Sequence, residues 1–257
     1  MRRFAAAVAV LGGARPASPE AARDGAYRLL DALGVRLDAP AAPLTVPGAG
    51  TLIVADHISW LDVPALAACA PVTLLAKREV AGWPVIGPLA RRLGTCFIDR
   101  DDPYALPGAV AEVARLLSSG RSVVAFPQAT TWCGPVGGRF RRATFQAAVD
   151  AGAPVLPVTV DYTLGGEPTT VAAFVGTDGF LASLARVVRA DGLTVRIRPH
   201  QPLWPGPGID RRALAAAAER TVFGRVAPGP PRYAPRRPES PRHEATRGNV
   251  SPASPAG

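Results

Sequence analysis

The chain has 257 residues, 48% hydrophobic and 19% charged, enough apolar side chain for one sizeable core, so wholesale disorder is excluded. No stretch reaches the roughly 18 uncharged apolar residues of a standard membrane-spanning helix, and Cys69, Cys96 and Cys133, without C-x-x-C spacing, argue against a disulfide framework or structural zinc and fit a reducing cytosol. The net charge of +9, from 29 basic and 20 acidic residues, favours polyanions: nucleic acid, phosphate ligands or an acidic bilayer surface.

Residues 1–17 place Arg2 and Arg3 ahead of a small apolar run. Phe4, Val8 and Leu11 stand at helical spacing, which predicts a short interfacial helix or a packed one. The run also resembles a weak secretory signal, interrupted by Arg15. Ser18-Pro19, then Leu29, Leu30 and Leu33, then Gly34 predict a capped helix with a glycine stop. The apolar runs 51–55, 72–76, 95–99, 122–126 and 155–160 read as strands, and further strands are predicted at 171–175 and 193–198. A helix is predicted from Asp102-Pro103 to Gly120, with Leu106, Val110, Val113 and Leu117 on one face, and others near 179–190 and 209–223. Strands apolar throughout and alternating with helices predict one α/β domain over 18–225, a mainly parallel sheet flanked by helices. Residues 226–257 carry eight prolines and a charge of +3, with no Leu, Ile, Phe, Met or Trp, and are predicted to be a disordered tail. That leaves a modest +6 of the +9 on residues 1–225, without interleaved aromatics for stacking, which argues against nucleic acid as a partner.

Ligands of open parallel sheets bind beyond the carboxyl ends of the strands. Asp56-His57-Ile58-Ser59-Trp60-Leu61-Asp62 follows the run 51–55, Arg100 follows 95–99, and Pro127-Gln128-Ala129-Thr130-Thr131 follows 122–126. Three polar clusters therefore fall on one predicted edge. Imidazole is the side chain that exchanges protons near neutral pH, which makes His57 the natural general base, but it needs a partner to fix its tautomer. Asp62 lies five residues on. A continuous helix would put the two side chains roughly 140° apart, and a continuous strand would put them on opposite faces. They meet only across a turn, with His57 in a loop and Asp62 in the first helical turn. The Ser59–Asp62 spacing is that of a capping box and supplies such a turn. On spacing alone, Asp62 is equally a plain helix cap and His57 a plain loop residue.

The chain carries, in one fixed order, DHISWLD (56–62), Lys77-Arg78-Glu79 with Trp83-Pro84 and Gly87, GTCFIDRD (94–101), FPQATT (126–131) and APVLPV (153–158). This succession resembles the glycerolipid acyltransferase family over residues 25–200. The resemblance implies a glycerolipid acyltransferase-like single domain that moves a fatty acyl group from acyl-CoA or acyl-carrier protein to the free hydroxyl of a lysophospholipid. The first acceptor it implies is 1-acylglycerol-3-phosphate, giving phosphatidic acid. Thr130-Thr131, where the family has Thr-Arg, suggests another acceptor such as lyso-ornithine lipid; a catalytically degenerate lipid-binding member is the further alternative. By resemblance, His57 takes the proton of the acceptor hydroxyl, Asp62 orients the imidazole, and Arg100 clamps the acceptor phosphate. Gln128, Ala129, Thr130 and Thr131 would contact the acceptor. On residue pattern alone, Arg100 is also placed to pair with Asp101 or Asp102. No metal and no cofactor are implied. The partners would be the two substrates and a membrane surface, the protein lying peripherally on the cytoplasmic face of the cell membrane through its N-terminal segment and basic residues.

Three positions depart from the family pattern. Gln128 stands for Glu, which keeps an acceptor, adds donors and should alter polar recognition of the acceptor lipid. Ala129 stands for Gly, which makes a positive φ costly. Asp56 stands for Asn and would add a negative charge next to His57. The loop 127–138, with Trp132 and Cys133, is long for a compact domain and is expected to be functional or mobile. Cys133 has no second well-placed histidine and is not expected to be a nucleophile. Leu66, Leu74, Leu75, Ile86 and Leu89 are expected in the core, and Trp60 and Trp83 fit the core or a lipid interface equally well.

Overall fold

The computed structural model describes residues 18–82, 86–92, 95–98, 104–133, 139–176 and 178–224, together with Arg3, Ala6 and Val10. Helix α1 (Pro19–Leu33) starts as its sequence dictates: Ser18 accepts a hydrogen bond from the Ala21 N–H, and Gly34 at φ 74° closes it. Then come β1 (Arg36–Asp38), β2 (Leu52–Ala55), α2 (Asp62–Cys69), β3 (Thr73–Lys77), a 3-10 turn (Arg78–Gly82), α3 (Ile86–Arg92) and β4 (Cys96–Ile98). The chain continues through α4 (Leu106–Ser118), β5 (Val123–Ala125), α5 (Ala143–Ala151), β6 (Val155–Leu164), β7 (Glu167–Pro168), α6 (Phe180–Arg189), β8 (Leu193–Pro199) and α7 (Arg211–Phe223).

The strands form one sheet in the order β1-β8-β6-β2-β5-β3-β4, with β7 beside β6. Strand β2 pairs in parallel with both β5 and β6, and β3 with β4 and β5; only β6 runs antiparallel to β8 and β7. Leu52, Ile53, Val54 and Ala55 are all fully buried because both sheet faces are covered. Ile53, Ala55 and Val124 pack with Leu30 and Leu33 of α1, Leu66 of α2 and Val187 of α6. Leu52, Val54 and Val123 pack on the other side with Val113 and Leu117 of α4, Phe145 of α5 and Ala218 of α7. The mainly parallel, doubly covered α/β sheet is therefore present. Leu66, Leu74 and Leu75 lie in the core; Trp83 and the side chains of Ile86 and Leu89 lie outside what is described.

Two element expectations are corrected. Helix α4 begins at Leu106, after a turn at Tyr104-Ala105, with no side-chain cap and with Pro107 in its first turn. Residues 171–175 are not a strand. Their carbonyls are taken by a side chain instead of a sheet neighbour: Arg186 donates from Nε to Val171 O at 2.8 Å and from Nη2 to Ala173 O at 2.6 Å. The guanidinium also pairs with Asp178 at 2.5 Å. A half-buried apolar segment can thus satisfy its backbone without a ladder.

Of the N-terminal segment, Val10 packs against the core and Arg3 pairs with Asp191 at 2.9 Å. Phe4, Val8 and Leu11, on which the interfacial helix rests, lie outside the described residues, as does the tail 226–257. Among the described residues no helix is long and apolar enough to cross a membrane.

Candidate active site

The register sets the geometry. Val54 pairs with Ala125 across the β2–β5 ladder, so both strands end at the same level and hand over to two adjacent loops. One loop carries His57 to the start of α2; the other carries Phe126 and Gln128. His57 and Asp62 meet across the turn that their spacing requires: Nδ1 lies 2.9 Å from Asp62 Oδ2. The same oxygen accepts the backbone N–H of Ile58 at 2.8 Å and of Ser59 at 2.9 Å. The capping box is thus half made. The acid reaches back to the Ser59 N–H, while the Ser59 hydroxyl accepts from the Leu61 N–H and Leu61 holds the cap position. Asp62 is fully buried, and its other oxygen, Oδ1, accepts the phenol O–H of Tyr162 on β6 at 2.5 Å. Four donors surround one carboxylate, which is what a buried charge requires.

A carboxylate only accepts, so in the neutral tautomer that fits this contact His57 has its proton on Nδ1 and its lone pair on Nε2. The ring keeps 18% exposure, and no described residue bonds Nε2. Phe126 stacks on the imidazole, with centroids 4.0 Å apart and planes at 17°. The face is fixed, and the free nitrogen points away from Asp62 across the ring.

Gln128 has a different place from the expected one. It is 5% exposed, and its Oε1 accepts the His57 backbone N–H at 2.8 Å. It therefore anchors the main chain of His57. Ala129 is the one described non-glycine residue with positive φ, at 65°, so the left-handed turn persists without the glycine, and its N–H closes the turn on Phe126 O at 3.0 Å. The Thr131 hydroxyl donates to Phe174 O, which assigns it to loop construction, whereas Thr130 is exposed. Arg100 and its neighbours 99–103 lie outside the described residues.

Asp56 also departs from expectation. It is 8% exposed, and its Oδ1 accepts the Val160 N–H at 2.8 Å. Burial, opposed by that hydrogen bond and reinforced by the charges of Asp62 and Asp161, pushes its carboxyl well above the usual carboxylate range. Burial thus works against the negative charge expected beside His57. A neutral carboxyl presents the same acceptor oxygen as an amide. Burial also pushes the Cys133 thiol up, away from the thiolate a nucleophile needs. Among the described residues no group of three His, Cys, Asp or Glu side chains could hold a metal.

The rim loops are tied to one another. Trp132 N–H donates to His57 O at 2.7 Å and Phe174 N–H to Ile58 O at 3.0 Å. The indole N–H of Trp60 donates to Ser183 Oγ at 3.1 Å, and its ring meets Phe180 edge-on at 5.2 Å, so Trp60 docks on α6. Tyr162 escaped sequence reasoning because it lies 100 residues from Asp62 within an apolar strand. The polar Asp161-Tyr162 pair at the end of that strand was the one available signal.

Residues 40–161 match the Acyltransferase family model. The chain is 39% identical over 183 residues to the lyso-ornithine lipid O-acyltransferase of Pseudomonas aeruginosa, covering 69% of each chain. It is 34% identical over 178 residues to the 1-acyl-sn-glycerol-3-phosphate acyltransferase of Neisseria meningitidis, covering 69% of this chain and 70% of that one. The crystal structure of the 1-acyl-sn-glycerophosphate acyltransferase from Thermotoga maritima shares the fold, with a TM-score of 0.58 at 22% identity over 80% of this chain and 77% of that one. Fold and relatives together define an acyltransferase of lipid metabolism. The chain belongs to the glycerolipid acyltransferase family.

Proposed function

We propose that the protein transfers a fatty acyl group from acyl-CoA or acyl-carrier protein to the free hydroxyl of 1-acyl-sn-glycerol-3-phosphate, giving phosphatidic acid. The observation that carries this reading is the imidazole held through Nδ1 by the buried Asp62 at 2.9 Å, with Nε2 left unbonded by any described residue. In the reaction, Nε2 accepts the hydroxyl proton as the oxygen bonds to the thioester carbonyl carbon. The tetrahedral intermediate then expels the thiolate, the C–S bond breaks, and the imidazolium returns its proton to the sulfur. Asp62 stabilises the imidazolium and holds the ring in the required tautomer. Arg100, which follows the β4 strand in sequence, clamps the acceptor phosphate, and the exposed Thr130 contacts the headgroup. Base, orienter and anion clamp are all side chains, so the reaction needs no cofactor. The N-terminal segment and the basic surface hold the protein peripherally on the cytoplasmic face of the membrane.

A second acceptor, lyso-ornithine lipid, is favoured by the 39% identical relative of that name. Both lipids present a free hydroxyl as acceptor, so the chemistry at His57 is unchanged. Purified protein given labelled acyl-CoA and a panel of lysolipids should convert 1-acylglycerol-3-phosphate to labelled phosphatidic acid. His57→Ala should lower that rate by about 10²–10⁴-fold. Product from lyso-ornithine lipid alone replaces the acceptor; lipid binding without product from any acceptor overturns the reading.

A further inference from the structure

We infer that Tyr162 is a positioning residue of this reaction, its phenol O–H locking the Asp62 carboxylate to the sheet and so aiming His57. The inference rests on the general-base reading of His57 given above. The three donors to Asp62 Oδ2 all come from the stretch 57–59: the imidazole itself and the N–H groups of Ile58 and Ser59. All three belong to the loop itself. Tyr162 is different, because it stands on β6, which pairs with β2 on one side and β8 on the other. Its bond to Oδ1 at 2.5 Å is the contact that ties the carboxylate to a strand. The phenol also hydrogen-bonds Ser59, which limits its rotation, and burial together with the Asp62 charge pushes its acidity well away from ionisation, so it remains a donor. Without the phenol, Oδ1 of a fully buried carboxylate has no donor among the described residues. The carboxylate then regains one only by rotating, which swings Oδ2 away from Nδ1.

Tyr162→Phe removes one oxygen from a side chain that is 4% exposed and leaves its carbon packing in place. Expected is a fall in kcat of roughly tenfold, with KM within about twofold, as for loss of one hydrogen bond to a charged group. The acid limb of the kcat/KM profile moves to lower pH, because a carboxylate turned away from Nδ1 stabilises the imidazolium less. In an Asp62→Asn background the same change costs less than about twofold further, since the two residues act through one bond. Thermal unfolding confirms that each variant is folded. Equal losses in the two backgrounds, or an unchanged kcat in folded Tyr162→Phe, overturn the inference while His57→Ala still abolishes transfer. If His57→Ala keeps the wild-type rate, the general-base reading itself fails, and the two failures are read separately.

Discussion

Replacing Asp56 by Asn tests how the turn beside His57 is built. Asp56 is buried at the end of β2, accepts hydrogen bonds from the Val160 N–H at 2.8 Å and from its own backbone, and has its carboxyl held well above the ordinary range by burial. An acid whose pKa is raised on folding binds its proton more tightly in the native state. Its contribution is therefore greatest below the unfolded value, about 3.8, and is lost as pH rises toward the folded one. Asparagine keeps the acceptor oxygen and has no proton to lose. The stability of Asp56→Asn relative to wild type should accordingly grow with pH, with a slope of at most about 1.4 kcal/mol per pH unit for one group. Every other carboxylate is common to both proteins, so the difference isolates this one. Urea unfolding of both proteins at pH 5, 6, 7 and 8 measures it, and the acyl-transfer rate at pH 7 should be retained. A difference that does not change with pH, or one that turns against Asp56→Asn at high pH, would refute the reasoning.

Gln128→Leu strips the acceptor from the His57 N–H and leaves a buried donor unpaired, which should destabilise the protein by about 1–3 kcal/mol and lower the transfer rate. Gln128→Glu keeps an oxygen there and should keep the anchor; a Leu variant as stable as wild type in urea would remove the anchoring role. Ala129→Gly relieves a left-handed alanine that costs about 1–2 kcal/mol, less about 0.4–1 kcal/mol of extra unfolded-chain freedom. Calorimetry should show a gain of up to about 1.6 kcal/mol, at roughly 2–4 °C in Tm per kcal/mol. A lower Tm would mean that the turn does not need the positive φ.

Sequence pattern carries the fold wherever local rules decide. Fully apolar runs mark strands buried on both faces, and Ser18-Pro19 with Gly34 brackets α1 within one residue. The 171–175 segment misleads because its apolar residues are covered while an arginine from α6 replaces the neighbouring strand. Nothing local announces such a substitution. The same division holds at the site. For His57 and Asp62, spacing leaves a turn as the sole way to meet, and the ordered motifs rather than the spacing favour that pairing over a plain helix cap. The function of Gln128 is not legible, since its target is a main-chain N–H 71 residues away. Asp56 misleads for a third reason: a charge counted from sequence presumes water, and burial opposes it.

The rim is joined through peptide groups: Trp132 N–H to His57 O, Phe174 N–H to Ile58 O and Ala129 N–H to Phe126 O. Where the frame is stitched by main chain, the side chains that hang from it can vary; Gln128 and Thr131, whose side chains help to hold it, are the exceptions. Residues such as Thr130 can then be exchanged without disturbing the imidazole, which gives a physical route by which one scaffold serves lipids with unlike headgroups.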